Sequence, residues 1–333
     1  GDWSSDVCSS DLLAALFSFG LIHTMPSIGT AHAQVFPSKP VRMIAPFPPG
    51  SGPDAIVRML GTRMGELLAQ PVVVENQGGA NGMIGGATVA RAAPDGYTLV
   101  LGYIANVAIA PSLVAKLPYD VHKDYAPVTQ LASAMSILVV HTSVPARNLK
   151  ELIALSKARP RTINFSSAGV ASVGHLTGEL FNTALGASFQ HVPYKGSAQG
   201  VIDLVAGQIQ MLIGGMSSVM PHVKAGRLRA VAVTGAQRSQ ATPDVPTVAE
   251  SGLPGFEAAG WGGIIGPANL PRDVVGALSK AIIDTLKHPD TAQRMLADGA
   301  VPTPGTPEEL TAYLKTELAK WGRVVKLANV KPE

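Results

Sequence analysis

Five short turns rich in glycine, serine and asparagine are the places where this chain could hold something small. They are Pro48-Pro49-Gly50-Ser51-Gly52, Gly78-Gly79-Ala80-Asn81-Gly82, Ser166-Ser167-Ala168-Gly169, Lys195-Gly196-Ser197 and Gly214-Gly215-Met216-Ser217. Each follows an apolar run and opens a stretch of helical periodicity. Each turn therefore offers backbone N–H groups that have no partner inside the helix and sit at the positive end of its dipole. Such an array attracts small anions without Arg or Lys. One turn alone reads as glycines reaching positive φ; five together read as a binding edge.

Missing motifs narrow the chemistry. Neither G-x-x-x-x-G-K-[ST] nor G-x-G-x-x-G occurs, the nearest being Gly79-x-x-Gly82-x-x-Gly85, so nucleotide phosphates are not the expected anion. No G-x-S-x-G elbow is present, and no nucleophile, base and orienter can be assembled, so no enzyme is expected. His175 and Glu179, four apart on one helix, supply two metal ligands without a third, while a core or capping role for His175 needs no metal. No metal and no cofactor are expected. Asp54 follows Pro53, which suits a first helical turn. Its carboxylate either complements the dipole or takes an amino or hydroxyl group of a ligand.

The elements that position these turns follow from the alternation of runs. Strands are predicted at Val41–Pro46, Val72–Glu75, Tyr97–Gly102, Ile137–His141, Thr162–Phe165, Phe189–Val192, Ile209–Ile213, Leu228–Thr234 and Ala259–Ile265. Helices are predicted at Asp54–Leu68, Met83–Ala92, Leu149–Ala158, Ser172–Leu185, Ala198–Ala206, Ser218–Lys224, Arg272–Leu286, Pro289–Asp298 and Pro307–Ala328. Regular βαβ alternation means α/β architecture with parallel-rich sheets covered by helices. In open sheets of that kind the turns gather at the carboxyl edge of the strands, where ligands bind. The strands at 137 and 259 follow a non-helical segment (Tyr119–Thr129) and a proline-rich one (Pro243–Pro254), which marks them as crossovers between two lobes.

Composition excludes other classes. With 333 residues, 46% hydrophobic and 15% charged, the chain is long enough to bury a large core and too apolar for disorder. Leu12–Ile22 is an apolar run of signal-peptide length, and Ala31-His32-Ala33 reads as its cleavage site. The run is too short to span a bilayer, so export without membrane insertion is expected. The residues before it carry Asp2, Asp6 and Asp11 and no base, and Ser4-Ser5-Asp6 repeats as Ser9-Ser10-Asp11. Residues 1–33 therefore read as an artefactual leader plus signal peptide. Cys8, the single cysteine, falls there, so disulfides and thiolate sites are excluded from the remainder. Without residues 1–33 the chain has 26 bases against 20 acids, a mild +6. The bases are scattered, and no nucleic-acid partner is expected.

Read with their neighbours, the turns resemble those of the Bug/TctC family of periplasmic solute receptors associated with tripartite tricarboxylate transporters. The matching stretches include Pro46-Phe47-Pro48-Pro49-Gly50-x-Gly52-x-Asp54, Val72-Val73-Val74-Glu75-Asn76, Pro94-Asp95-Gly96-Tyr97-Thr98-Leu99 and Leu117-Pro118-Tyr119-Asp120. Further on come Ser167-Ala168-Gly169-x-x-Ser172-x-x-His175-Leu176, His191-Val192-Pro193-Tyr194-Lys195-Gly196, Pro243-Asp244-Val245-Pro246-Thr247 and Gly252-Leu253-Pro254-Gly255-Phe256. The resemblance spans 36–330.

It implies a two-lobed, type II periplasmic-binding-protein fold with flanking helices and a central cleft. One lobe would hold 36–136 and 259–333, the other 137–258. It also implies a monomer that captures one small carboxylate and hands it to a membrane permease of the tripartite tricarboxylate type. The alternatives are signalling to a membrane histidine kinase or, in another class, an α/β enzyme acting on carboxylates. Carried over by motif, the ligand-binding residues are Phe47, Pro48, Gly50 and Asp54 in one lobe and Ser167, Ala168, Gly169 and Ser172 in the other. Ser51 and Asn81 stand where the family commonly has glycine and are counted with the site. Tyr194 and Lys195 either reach the ligand or brace their turn. Ala171 replaces a frequent glycine. Gly214 stands where several members carry Asp, which argues against an ammonium-bearing ligand and favours a dicarboxylate or aromatic carboxylate.

Overall fold

The computed structural model describes residues 36–194, 196–297 and 299–330, so the expected leader, signal peptide and Lys195 lie outside the described residues. The first part of the chain forms β1 (Val41–Ala45), α1 (Gly52–Leu68), β2 (Val72–Asn76), α2 (Met83–Ala90), β3 (Thr98–Tyr103), α3 (Ala110–Leu113) and β4 (Tyr125–His141). It continues with α4 (Leu149–Ala158), β5 (Ile163–Ser167), α5 (Val173–Ala184), β6 (Phe189–Pro193), α6 (Ser197–Val205), β7 (Met211–Gly215), α7 (Met216–Lys224) and β8 (Leu228–Val233). The last elements are β9 (Ala259–Pro267), α8 (Arg272–Lys287), α9 (Pro289–Ala297), β10 (Val301–Pro302) and α10 (Pro307–Leu327).

The strands pair in the order β2-β1-β3-β9-β4-β7-β5-β6, with β8 and β10 also on β4. The two ends of that path, β2-β1-β3 and β7-β5-β6, are parallel blocks. Between them β9 and β4 run antiparallel to their neighbours. Strand β4 is common to both halves: Tyr125 to Met135 pair with β9, and Ser136 to Val140 pair with β7. Both faces of the parallel blocks are covered, as their unbroken apolar runs require. On β1, Val41 and Met43 pack toward α1 and α8 while Ile44 joins the core on the other face. On β4, Ile137 and Val139 face the core under α6 and α7 while Leu138 and Val140 face the opposite one. This is the period-two alternation of a strand buried twice.

The predicted elements appear with ends moved by at most two residues, except at β4. The strand expected at Ile137–His141 begins instead at Tyr125, inside the segment Tyr119–Thr129 expected only to be non-helical. The alanines and serines with Pro127 give little intrinsic strand signal, and pairing with β9 imposes the conformation. Pro127 sits where the register shifts against β9, a site that tolerates a missing N–H. A buried π-helical turn at Ala105–Ile109 leading into α3 was also not anticipated.

Helix α10 is started by a capping box in which Thr306 accepts from the Glu309 backbone and the Glu309 carboxylate accepts from the Thr306 backbone at 2.7 Å. It buries Glu317, whose Oε2 accepts from both Trp261 Nε1 on β9 and Trp321 Nε1, each at 2.8 Å. Lys320 pairs with the same carboxylate.

Candidate functional site

A cleft of about 480 Å³ opens beside the carboxyl ends of β1 and β3, the middle of β4, and the ends of β5 and β7. A shallower depression of about 600 Å³ lies elsewhere, over Leu117-Pro118-Tyr119-Asp120, and carries none of the predicted site residues. The cleft is lined by Phe47, Asn81, Ser167, Ala168 and Ser172 from the predicted set. Pro48, Gly50, Ser51, Asp54, Gly169 and Tyr194 do not line it.

One side is built by the start of α5. Strand β5 ends at Ser167, the chain turns through Gly169 (φ 129) and Ala171 (φ 63), and Ser172 caps the helix by accepting from His175 N at 3.3 Å. Ala171 occupies the left-handed region, where glycine is the residue without a steric penalty. Gly174 lies so close to β7 that a Cβ there would stand 2.3 Å from the Ile213 carbonyl oxygen. Only glycine lets the helix begin this near the strand. As a result Val173 and Gly174 line the cleft, and among the described residues neither backbone N–H has a partner within the chain. They are the unpaired donors of a helix start. Ser197, at the start of α6, lines the same cleft.

The other side is supplied by Phe47, Pro53, Ile56 and Asn81. Asn81 is exposed and lines the cleft, on a turn with φ 52 at Asn81 and 80 at Gly82. A Cβ at Gly82 would lie 2.7 Å from the Tyr103 ring, so glycine is what allows the turn to press against it. Tyr103 in turn packs on Phe47, ring centroids 4.5 Å apart.

Asp54 points away from the cleft and holds this side in place. Its carboxylate, 2% exposed, accepts from Gly50 N at 2.8 Å, Asn76 Nδ2 at 2.6 Å and Arg58 Nε at 3.1 Å. Asn76 Nδ2 also reaches the Phe47 carbonyl. Burial by itself would raise the Asp54 pKa, but these donors outweigh it and keep the carboxyl below the usual range. Ser51 donates its hydroxyl to the Pro48 carbonyl at 2.9 Å, closing its own loop. Tyr194 bonds Asp203 at 2.7 Å and so ties its turn to α6.

Behind the Ser167 loop lies a stacked pair, His175 and His191, with ring centroids 3.9 Å apart. His175 Nδ1 accepts from Ala171 N at 3.0 Å, which places its proton on Nε2 and steadies the strained loop. Its Nε2 is 3.9 Å from Glu179 Oε1. His191 Nε2 is 2.7 Å from Ser167 Oγ. Burial lowers the His175 pKa from 6.5 to about 4, and burial with the neighbouring ring lowers that of His191 to about 3. Both imidazoles are neutral in the folded protein, whereas the unfolded chain takes up their protons below 6.5. Stability is therefore complete above that value and falls as the pH drops toward about 4 and then 3. Thermal melts across this range are expected to show the loss, and His191→Gln is expected to flatten it. An equal slope in the variant would assign the loss to the carboxylates instead.

The floor comes from strands that sequence reasoning did not connect with the site. Leu101 and Tyr103 of β3, Leu131 and Met135 of β4, Leu212 of β7 and Trp261 of β9 line it. Among the described residues the lining contains no Asp, Glu, Lys, Arg or His. Burial raises the Tyr103 phenol well above its ordinary pKa, so it too is uncharged. Among the described residues the groups available to an anion in this cleft are backbone N–H groups, hydroxyls and an amide. Gly214 and Gly215, both on the lining, were visible as a turn; Trp261, alone among its apolar neighbours, carried no such signal.

A sequence model described as "Tripartite tricarboxylate transporter family receptor" matches residues 56–330. Protein BugT of Bordetella pertussis is 36% identical over 321 residues, covering 96% of this chain and 98% of that one. Among solved structures, a protein of R. palustris with adipate is 32% identical, with TM-score 0.79 over 90% of this chain and 100% of that one. MatC from Rhodopseudomonas palustris with bound malate is 30% identical, with TM-score 0.75 over 87% of this chain and 100% of that one.

Proposed function

Because the chain belongs to the tripartite tricarboxylate transporter receptor family, we propose that it is a periplasmic receptor that closes two lobes on one small carboxylate and presents the closed form to a permease of that transporter type. The observation that carries this reading is the pair of unpartnered N–H groups of Val173 and Gly174, two residues that line a cleft bordered on its other side by Asn81. Dipole and donors there favour an anion without neutralising it. Adipate and malate in the related structures support a carboxylate as that anion.

The lobes in this proposal are 36–136 with 259–333, and 137–258, and the change of pairing partner on β4 between Met135 and Ser136 supports the division. The ligand bridges Ser167, Ala168 and Ser172 to Phe47 and Asn81. Pro48, Gly50, Ser51, Asp54, Gly169 and Tyr194 shape those two edges. Closure requires the acid to bind the closed state better than the open one. Export follows cleavage near Ala33, and the acid is released unchanged.

A thermal-shift screen of the chain from Gln34 against carboxylates, amino acids and sugars tests this. At a hundredfold excess over the dissociation constant, linkage adds about 2.7 kcal/mol of stability. Carboxylates alone are expected to raise the melting temperature, and mass spectrometry should recover the bound acid intact. Stabilisation by sugars only, or recovery of a converted product, would remove the receptor reading.

A further inference from the structure

The floor of the cleft distinguishes among acids. We infer that the ligand is a monocarboxylate with an apolar ring or branched body, and that a hydroxy- or dicarboxylate is disfavoured; the inference rests on the carboxylate-receptor reading above. The unpaired donors collect at one end, where α5 and α6 begin and where Ser136 pairs with Gly215. From there β4 runs on through Met135, Ala134, Ala132 and Leu131, at about 3.3 Å per residue. A ligand whose carboxylate sits on Val173 and Gly174 therefore extends its body along these side chains.

Among the described residues the side chains of Met135, Ala134, Ala132 and Leu131 along that path carry no hydrogen-bonding group, and the polar groups of the opposite edge are the Asn81 amide and the Tyr103 hydroxyl. The indole N–H of Trp261, on the neighbouring strand β9, is already bound to Glu317 at 2.8 Å. Trp261 thus offers only its carbon surface. Gly260 and Gly262 of β9, opposite Ala134 and Ala132, leave width without adding polarity. A second carboxylate placed against Leu131, Ala132 and Ala134 would lose its water and gain no donor from them, a far larger penalty than burying a methylene or ring is a gain. Phe47 and Tyr103 provide an aromatic wall for an apolar body.

Calorimetric titration at neutral pH with benzoate, cyclohexanecarboxylate, benzamide, malate and adipate tests the inference. Benzoate or cyclohexanecarboxylate is expected to bind at least tenfold tighter than malate and adipate, and benzamide at least tenfold weaker than benzoate. Malate or adipate binding as well as the apolar acids overturns the inference and leaves the carboxylate receptor standing. Benzamide binding with no acid bound overturns the receptor reading, and no binding by any of the five overturns both. Ala134, exposed on the cleft, gives a second arm. Ala134→Lys puts a cation beside the body and is expected to shift preference toward adipate at least fivefold. An unchanged ratio would show that the body does not lie along β4.

Discussion

Glu317→Ala is expected to lower the free energy of unfolding by about 3–5 kcal/mol, the cost of breaking a buried hydrogen-bonded charge network. The carboxylate is 2% exposed and serves two indole N–H groups, on Trp261 and Trp321, that have no other acceptor. Its ion pair with Lys320 contributes less, because that ammonium is partly in water. The orphaned donors dominate, at about 1–3 kcal/mol each when left buried and unpaired. Glu317→Gln keeps an amide oxygen for them and is expected to lose less than half as much. Equilibrium urea unfolding followed by tryptophan fluorescence measures both variants. A Glu317→Ala loss under about 1 kcal/mol, the worth of one ordinary hydrogen bond, would mean the indoles find other acceptors.

Gly174→Ala is expected to reduce ligand affinity at least tenfold while the protein still folds. In an ordinary helix the change would help by about 1 kcal/mol through propensity. Here the new Cβ would stand 2.3 Å from the Ile213 backbone oxygen, and no rotamer can relieve a contact with backbone. Overpacking of this kind costs about 1–3 kcal/mol, so the clash outweighs the propensity gain and α5 must back away from β7. Its two free N–H groups move with it, and donors displaced beyond about 0.5 Å lose their alignment with the anion. Calorimetry with the best-binding acid measures the effect. Unchanged affinity with reduced stability would mean that the α5 start does not grip the ligand.

Most elements were legible because apolar runs and Gly/Ser turns alternate along the chain. The first half of β4 was not, since Tyr125–Ser136 becomes a strand only through its pairing with β9. Within the cleft the helix-start turns could be read from sequence, because an N-terminus and its cap are local. The direction of a side chain could not. Asp54 and Ser51 are the types that bind ligands, and both instead bond their own loop. Trp261 and Leu131, distant in sequence from every turn, reach the cleft only because β9 and β4 meet there.

Among the described residues the lining of the cleft carries no acidic or basic side chain, which bears on how the receptor behaves in media of different salinity. A site that held its acid by Lys or Arg would weaken as salt rose, through screening of paired charges. Here the attraction comes from fixed backbone dipoles at contact distance, shielded from mobile ions once water is excluded. Capture should therefore be nearly indifferent to ionic strength. The acid also enters without a counter-charge, so the loaded receptor carries one more negative charge at its centre than the empty one, a difference available to any partner that must tell the two apart.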